Sequence, residues 1–298
     1  MLDAVAEPRL EALADHPQLI AHLCTERAKM DGLLLTVRVG EEFGMRMFNT
    51  DGSEAEMCGN GIRCVARQAQ GYVGDRQEFI LWSGGRIQRI RREEPIFGTI
   101  PTYRVEIEIR TASEDFPASL AQGEWIGRVV PELDEQLRFT YLNLGNPHLV
   151  AEVDRIDLEL LTALGERVKQ LPDILPHGVN VSLFRHTGEQ AIYTATYERG
   201  VGLTSSCGTA MTACSTASCL LGLNRTGRPI EVRNSGGMVR CECRREGSMI
   251  TTALSGNASY EAEGVLALDL DGEWCEWGDE QPYTAEIEAY NNFYNSLK

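Results

Sequence analysis

The sequence predicts an α+β protein of two pseudo-symmetric lobes, each a mixed β-sheet around a central helix. The main observation is that both halves of the chain carry the same order of predicted strands, turns and one helix. In each half a Cys-Gly pair, Cys58-Gly59 or Cys207-Gly208, stands directly before the helical stretch. The length of 298 residues is enough for about two domains.

The first half starts with two strands joined at Gly40-Glu41, and a polar loop then leads to Cys58. Alternating apolar residues predict the strands, and glycine after a helical stretch predicts the helix end. The expected elements are strand 33–39, strand 43–48, helix 62–70 ending at Gly71, strand 78–82 and strand 86–90.

The second half repeats this order, with Gly188-Glu189 as the counterpart of the first turn. A Ser-Gly-Gly turn also recurs, at 83–85 and 235–237. The expected elements are strand 179–184, strand 191–197, helix 209–221, strand 230–233 and strand 238–243. This two-fold repeat predicts one lobe over 1–112 and another over 113–263. The tail 264–298 has helical spacing in 283–297 and is expected to pack on the first lobe.

Composition narrows the classes of function. A net charge of −16 argues against a nucleic-acid partner, and no apolar run approaches the length of a membrane span. Nine cysteines without a recognisable secretion signal indicate reduced thiols and a cytoplasmic location. The cysteine and histidine spacings fit no metal site, so neither metal nor membrane binding is expected.

The two Cys-Gly pairs suggest proton-transfer chemistry. A thiol at a helix N-terminus faces unpaired N–H groups and the positive end of the helix dipole, which favours a lowered thiol pKa. If Cys58 and Cys207 face each other across a cleft between the lobes, one acts as the base and the other as the acid.

Longer motifs around these cysteines resemble the diaminopimelate epimerases, a family of cofactor-independent amino-acid epimerases. The matching segments are Asp51–Cys64, Gly145–His148, Val179–Val181, Glu198–Gly202 and Cys207–Thr209. The resemblance implies catalytic roles for Cys58, Cys207, His148 and Glu198. It also implies that the substrate is bound by Asn49, Gly59, Asn60, Asn146, Asn180, Glu198, Arg199, Gly208 and Thr209.

Removal of an amino acid's α-proton without pyridoxal phosphate requires fixed dipoles to stabilise the carbanion beside the carboxylate. The resemblance implies an isomerase that interconverts LL- and meso-diaminopimelate, in lysine and cell-wall precursor biosynthesis. One thiolate would remove the proton while the opposite thiol delivers another. The expected partner is a small amino-acid substrate, and the aromatic face of 283–297 leaves a homodimer open.

Two alternatives remain. The first is a racemase of the same mechanism that acts on another amino acid, such as histidine. The second follows from the start of the sequence, which lacks the family's opening strand and its substrate-binding asparagine. That difference leaves open an inactive ligand-binding or regulatory homologue.

Overall fold

The computed structural model describes residues 1–26, 30–55, 58–109, 124–247, 249–270 and 274–297. The chain divides into two compact units. Unit 1 comprises Met1–Val105 and Gly256–Lys298, and unit 2 comprises Glu106–Ser255. The predicted lobe boundary at 112/113 lies outside the described residues.

The N-terminal part of unit 1 forms a mixed sheet with the strand order β1-β2-β3-β5-β6-β7, and β4 pairs with β3. Its strands are β1 (Leu2–Asp3), β2 (Gly32–Val39), β3 (Glu42–Asn49), β4 (Glu54–Ala55), β5 (Glu78–Ser83), β6 (Arg86–Glu93) and β7 (Thr102–Ile109). A 3-10 helix (Pro8–Asp15), α1 (Pro17–Glu26) and α2 (Gly61–Val73) accompany them.

The region before residue 33, for which the sequence analysis predicted no element, is part of the core. Leu19, Ile20 and Leu23 of α1 are buried against Leu33 and Leu35 of β2. Full burial of each such side chain contributes about 1.5–3 kcal/mol of transfer free energy. This packing fixes the edge of the sheet.

The strands of unit 2 follow the order β16-β15-β14-β12-β11-β10-β9-β8, and β13 pairs with β12. Its strands are β8 (Arg128–Val130), β9 (Asp134–Asn143), β10 (Pro147–Glu152), β11 (Asn180–Gly188), β12 (Ala191–Glu198), β13 (Gly202–Thr204), β14 (Ile230–Asn234), β15 (Gly237–Glu246) and β16 (Met249–Asn257). The helices are α3 (Leu158–Val168) and α4 (Gly208–Leu220).

Helix α4 is buried along almost its whole length, from Gly208 to Cys219. Its side chains are mostly Ala, Ser, Thr and Cys, which lets the sheet approach closely. The hydroxyls of Thr212 and Thr216 donate to carbonyls one turn earlier, at 2.8 and 2.9 Å, so burial leaves these polar groups bonded. This matches the predicted central helix.

The strand pairings of unit 1 recur in unit 2, which adds β8 and β9 at one edge, and this confirms the predicted repeat and the α+β class. β3 pairs in parallel with β5, and β12 pairs in parallel with β14. The short strands β4 and β13 lie antiparallel on β3 and β12. A parallel neighbour also precedes each hairpin, β1 beside β2 and β10 beside β11.

The C-terminal segment of unit 1 consists of β17 (Ala262–Asp269), β18 (Trp274–Pro282) and α5 (Thr284–Ser296). The predicted boundary at 263/264 falls inside β17. Leu266, Leu268 and Trp277 pack on the core around α1. From α5, the ring of Phe293 lies 3.8 Å from that of Phe97, measured between centroids.

One helix end was predicted wrongly. Helix α2 passes through Gly71, continues to Val73 and ends at Gly74, whose φ of +68° suits glycine. An internal glycine costs only about 1 kcal/mol relative to alanine, so Gly71 does not stop the helix. No described helix has the length and apolar character needed to cross a membrane.

Candidate active site

Cys58 lies three residues before Gly61, the first residue of α2, and its sulfur is hydrogen-bonded to the start of that helix. Its carbonyl accepts a hydrogen bond from the N–H of Ile62 at 3.0 Å, and Sγ accepts one from the N–H of Gly61 at 3.2 Å. A Cβ added at Gly61 would lie 2.8 Å from Leu34 and 3.3 Å from Cys58 Sγ. Glycine at 61 therefore allows the sulfur to approach the helix terminus.

Gly59 and Asn60 complete what we call the Cys58 loop, residues 58–60. The guanidinium of Arg63 donates to the Gly59 carbonyl at 2.8 Å and to Asn60 Oδ1 at 3.2 Å. Asn60 is the N-cap residue of α2 but makes no capping bond through its side chain. The loop conformation is thus held by the arginine one turn into the helix.

Asn49, the other predicted binding residue of unit 1, lies at the end of β3. Its side-chain amide donates to Ser53 Oγ at 2.9 Å, and its N–H donates to the Ser53 carbonyl at 2.8 Å. Within the described chain these bonds keep Asn49 in its own turn rather than linking it to Cys58. Its contact with substrate stays a prediction.

Cys207 is the N-cap residue of α4 and is 8% exposed. Its carbonyl accepts from the N–H of Met211 at 3.0 Å, and its sulfur lies 3.4 Å from Thr209 Oγ1. The side chain of Glu198 contacts the thiol, and Glu198 Oε1 also accepts from Thr204 Oγ1 at 2.6 Å. Burial first, and the Glu198 charge second, raise the pKa of Cys207 to about 12.

A second chain of hydrogen bonds joins Cys207 to the strand β10. Asn146 Nδ2 donates to Thr209 Oγ1 at 3.3 Å, and His148 Nε2 lies 3.0 Å from Asn146 Oδ1. Because an amide oxygen only accepts, His148 carries a proton on Nε2. Its side chain is fully buried, and burial, followed by the charge of Arg199, lowers the pKa of His148 to about 3.

Asn180 and Arg199 lie beside this chain. Asn180 Oδ1 accepts from the backbone N–H of Arg199 at 2.8 Å, and Asn180 is the register partner of His148 in the β10–β11 pair. The Arg199 guanidinium donates to the carbonyl of His177. Unit 2 therefore brings together the Cys207 cluster, which we define as Asn146, His148, Asn180, Glu198, Arg199, Cys207, Gly208 and Thr209.

Comparison with known proteins decides the family. The family model for diaminopimelate epimerase matches residues 4–91 and 140–261. The chain belongs to the diaminopimelate epimerase family.

Individual proteins with similar sequences agree with this family assignment. The diaminopimelate epimerase of Clostridium acetobutylicum is 36% identical over 252 residues, which cover 84% of this chain and 75% of that protein. The enzyme of Enterococcus faecalis is 36% identical over 292 residues, covering 91% of this chain and 87% of the relative. Proteins of that name are isomerases.

Solved structures show the same fold at low identity. A phenazine biosynthesis protein of the PhzF family from Bacillus anthracis matches with a TM-score of 0.59 at 12% identity, over 90% of this chain and 87% of that one. A predicted epimerase from Pseudomonas aeruginosa matches with a TM-score of 0.57 at 12% identity, over 89% and 86%.

In this diaminopimelate epimerase family member, the expected lowering of both thiol pKa values is wrong. Burial raises the pKa of Cys58 and outweighs the N–H bonds from Gly61 and Asn60 and the charge of Arg63. At Cys207 the carboxylate of Glu198 adds to the effect of burial. Helix N-termini favour the thiolate, but desolvation of a buried sulfur opposes it more strongly.

Some residues that support the candidate site were not predicted from the sequence. Thr204 holds Glu198, the His177 carbonyl holds the Arg199 side chain, and Arg63 holds the Cys58 loop. Arg63 lies in the matching segment Asp51–Cys64, so its position five residues after Cys58 could have indicated a role near that cysteine. In the described part of the chain no three His, Cys, Asp or Glu side chains are grouped as for a metal ion.

Proposed function

We propose that this protein is a cofactor-independent diaminopimelate epimerase that moves protons with the thiols of Cys58 and Cys207. One observation carries the proposal: each unit presents a cysteine at the N-terminus of the equivalent helix in a repeated fold. The names of relatives at 36% identity support the substrate. The product would serve lysine and cell-wall precursor synthesis.

The chemistry follows from charge. Loss of the α-proton places negative charge beside the substrate carboxylate, and the N–H groups of a helix's first turn have no partner inside the helix. The N–H groups at Gly59 and Asn60, and at Gly208 and Thr209, are proposed to bind that carboxylate. They stabilise the transition state because its charge is larger than that of the bound substrate.

The groups around the two sulfurs indicate which thiol is the base and which is the acid before substrate binds. Burial raises the pKa of both thiols, but at Cys58 an N–H bond to Sγ and the charge of Arg63 partly offset that rise. Cys207 contacts the carboxylate of Glu198, which favours its thiol. We therefore propose Cys58 as the base and Cys207 as the acid for the first substrate bound. The roles reverse for the other stereoisomer, and both sulfurs must reach one carbon.

The polar groups of the Cys207 cluster suit a substrate with a second amino-acid end. Arg199 supplies a planar fork for a carboxylate, and Asn146 and Asn180 supply donors and acceptors. Asn49 of unit 1 is proposed to add a further amide. His148 has a pKa of about 3, so it is proposed to act as a neutral donor that orients Asn146. Cytoplasmic location and a homodimer stay predictions.

Exchange of the α-proton in deuterated water tests the proposal. The reduced protein is incubated separately with LL-diaminopimelate, meso-diaminopimelate and L-histidine, and deuterium is followed by mass spectrometry. We expect exchange and inversion with both diaminopimelates and none with histidine. Exchange of histidine alone would establish the racemase alternative. Absence of exchange, with a ligand-induced rise in melting temperature, would establish the binding alternative.

A further inference from the structure

A buried arginine holds the Cys58 loop from within α2. Arg63 is 6% exposed, and its guanidinium donates to the Gly59 carbonyl, to Asn60 Oδ1 and, through Nε at 3.1 Å, to the Asn257 carbonyl. Burial of a guanidinium is costly unless its donors are used. Here the donors of Arg63 form hydrogen bonds with Gly59 and Asn60, the two residues that follow Cys58.

One turn along α2, Arg67 attaches the segment that contains Asn257. Its two Nη atoms donate to the two oxygens of Glu286, each at 2.6 Å, and Nη1 also donates to the Ala258 carbonyl at 2.7 Å. The guanidinium lies 3.7 Å from the ring centre of Tyr260, whose N–H donates to Glu286 at 3.0 Å. The paired charges thus fix the segment 257–260 against α2.

The carboxylate that pairs with Arg67 belongs to Glu286, which lies outside the residues matched by the family model. The match ends at residue 261, whereas Glu286 lies on α5. The fit around the arginine is tight, since a Cβ added at Gly256 would lie 2.9 Å from Arg63 Nε. A shift of α5 would therefore reach the Cys58 loop through Arg67, the segment 257–260 and Arg63.

We propose that Arg63 is a positioning residue for the Cys58 loop and that α5, through the Glu286–Arg67 pair, holds it in place. The part that Cys58 plays rests on the function proposed above. Arg63 fixes the backbone at Gly59 and the side chain of Asn60, so Cys58 Sγ keeps its hydrogen bond from the Gly61 N–H. Helix α5 thereby becomes part of the support of the site, although the family pattern does not include it.

The pH dependence of Cys58 alkylation by iodoacetamide tests this directly. Tandem mass spectrometry separates Cys58 from Cys64 in peptides of Arg63→Met, Arg63→Lys and Glu286→Asp, and Glu288→Asp on the exposed side of α5 is the control. For Arg63→Met we expect the apparent thiol pKa to rise by about half a unit or more, since both charge and hydrogen bonds are lost. Arg63→Lys and Glu286→Asp keep the charge and give smaller rises, and Glu288→Asp gives none.

Melting temperature separates positioning from a purely structural role. If Arg63→Met and Glu286→Asp melt earlier but keep the wild-type alkylation profile, the proposal is overturned. The readout needs no substrate, so it is independent of the proposed function. If the alkylation profile shifts in the variants but the wild type exchanges no α-proton, the positioning role of Arg63 is supported and the proposed epimerase function is contradicted. If Arg63→Met does not fold, Glu286→Asp alone decides.

Discussion

At the scale of single residues, the main result is that the same motif places two cysteines in opposite electrostatic settings. The sulfur of Cys58 is bonded to a backbone N–H and lies near an arginine, whereas that of Cys207 contacts a carboxylate. The sequence showed both cysteines and most of their neighbours. It could not show the sign of the pKa change, because that depends on burial, which only the fold determines.

Replacement of Glu198 by Gln tests the assignment of Cys207 as the resting acid. Removing the negative charge lowers the pKa of Cys207, and we expect its alkylation profile to move to lower pH by about one unit. Thr204→Val is the matched control, since it removes the 2.6 Å bond to Glu198 but keeps the charge. An unchanged profile in Glu198→Gln would show that the carboxylate does not act on this thiol.

Acid sensitivity tests the buried, neutral state of His148. Its pKa of about 3 in the folded protein lies below the ordinary value of 6.5, so the unfolded chain binds the proton first as pH falls. The free energy of unfolding therefore has its full value, as far as His148 is concerned, above about pH 6.5. It falls towards pH 3 with a slope of up to about 1.4 kcal/mol per pH unit.

In His148→Gln the amide can still donate to Asn146 but cannot take up this proton. Chemical unfolding between pH 6.5 and 4 should therefore show a flatter loss of stability than in the wild type. The exposed His22→Gln serves as the control and should keep the wild-type slope. An equal slope in His148→Gln would mean that His148 is not held neutral.

At the scale of elements, periodicity and turn residues predicted the repeated strands and both cysteine helices. The helix end at Gly74 was missed because Gly71, which has no atom within 4 Å of an added Cβ, interrupts the pattern without stopping the helix. Helix α1 was not predicted, although Leu19, Ile20 and Leu23 follow helical spacing. Its short length and the mixed residues before it obscured that signal.

The turn at Gly236 packs tightly against residues 205–206, which lead into Cys207. A Cβ added there would lie 2.8 Å from the Ser205 carbonyl oxygen and 2.8 Å from Ser206 Cβ, next to Cys207. Gly236→Ala should destabilise unit 2 by about 1–3 kcal/mol, because backbone on the facing loop must move. It should also lower turnover.

Gly71→Ala is the matched control, because it adds the same methyl group inside α2 where there is open space. It should stabilise the protein by about 0.5–1 kcal/mol. Guanidinium unfolding measures both changes. Equal stability of Gly236→Ala and the wild type would contradict the tight packing of the turn against 205–206.

At the scale of the whole molecule, the internal repeat allowed the sequence to predict the fold class. It predicts equivalent strand pairs such as β3–β5 and β12–β14, because the same order of elements favours the same topology. It could not predict the pairing of Arg67 with Glu286, 219 residues apart. Such a contact depends on where the C-terminal segment packs, and no local pattern encodes it.

The central claim is that inversion requires one thiol from each unit. Its most direct test is chiral analysis of diaminopimelate after incubation with the wild type, Cys58→Ala, Cys207→Ala and the control Cys64→Ala. We predict that the wild type and Cys64→Ala invert the α-carbon, and that each of the other two variants is slower by about 10²–10⁴-fold. Inversion at the wild-type rate in either Cys58→Ala or Cys207→Ala would contradict the account.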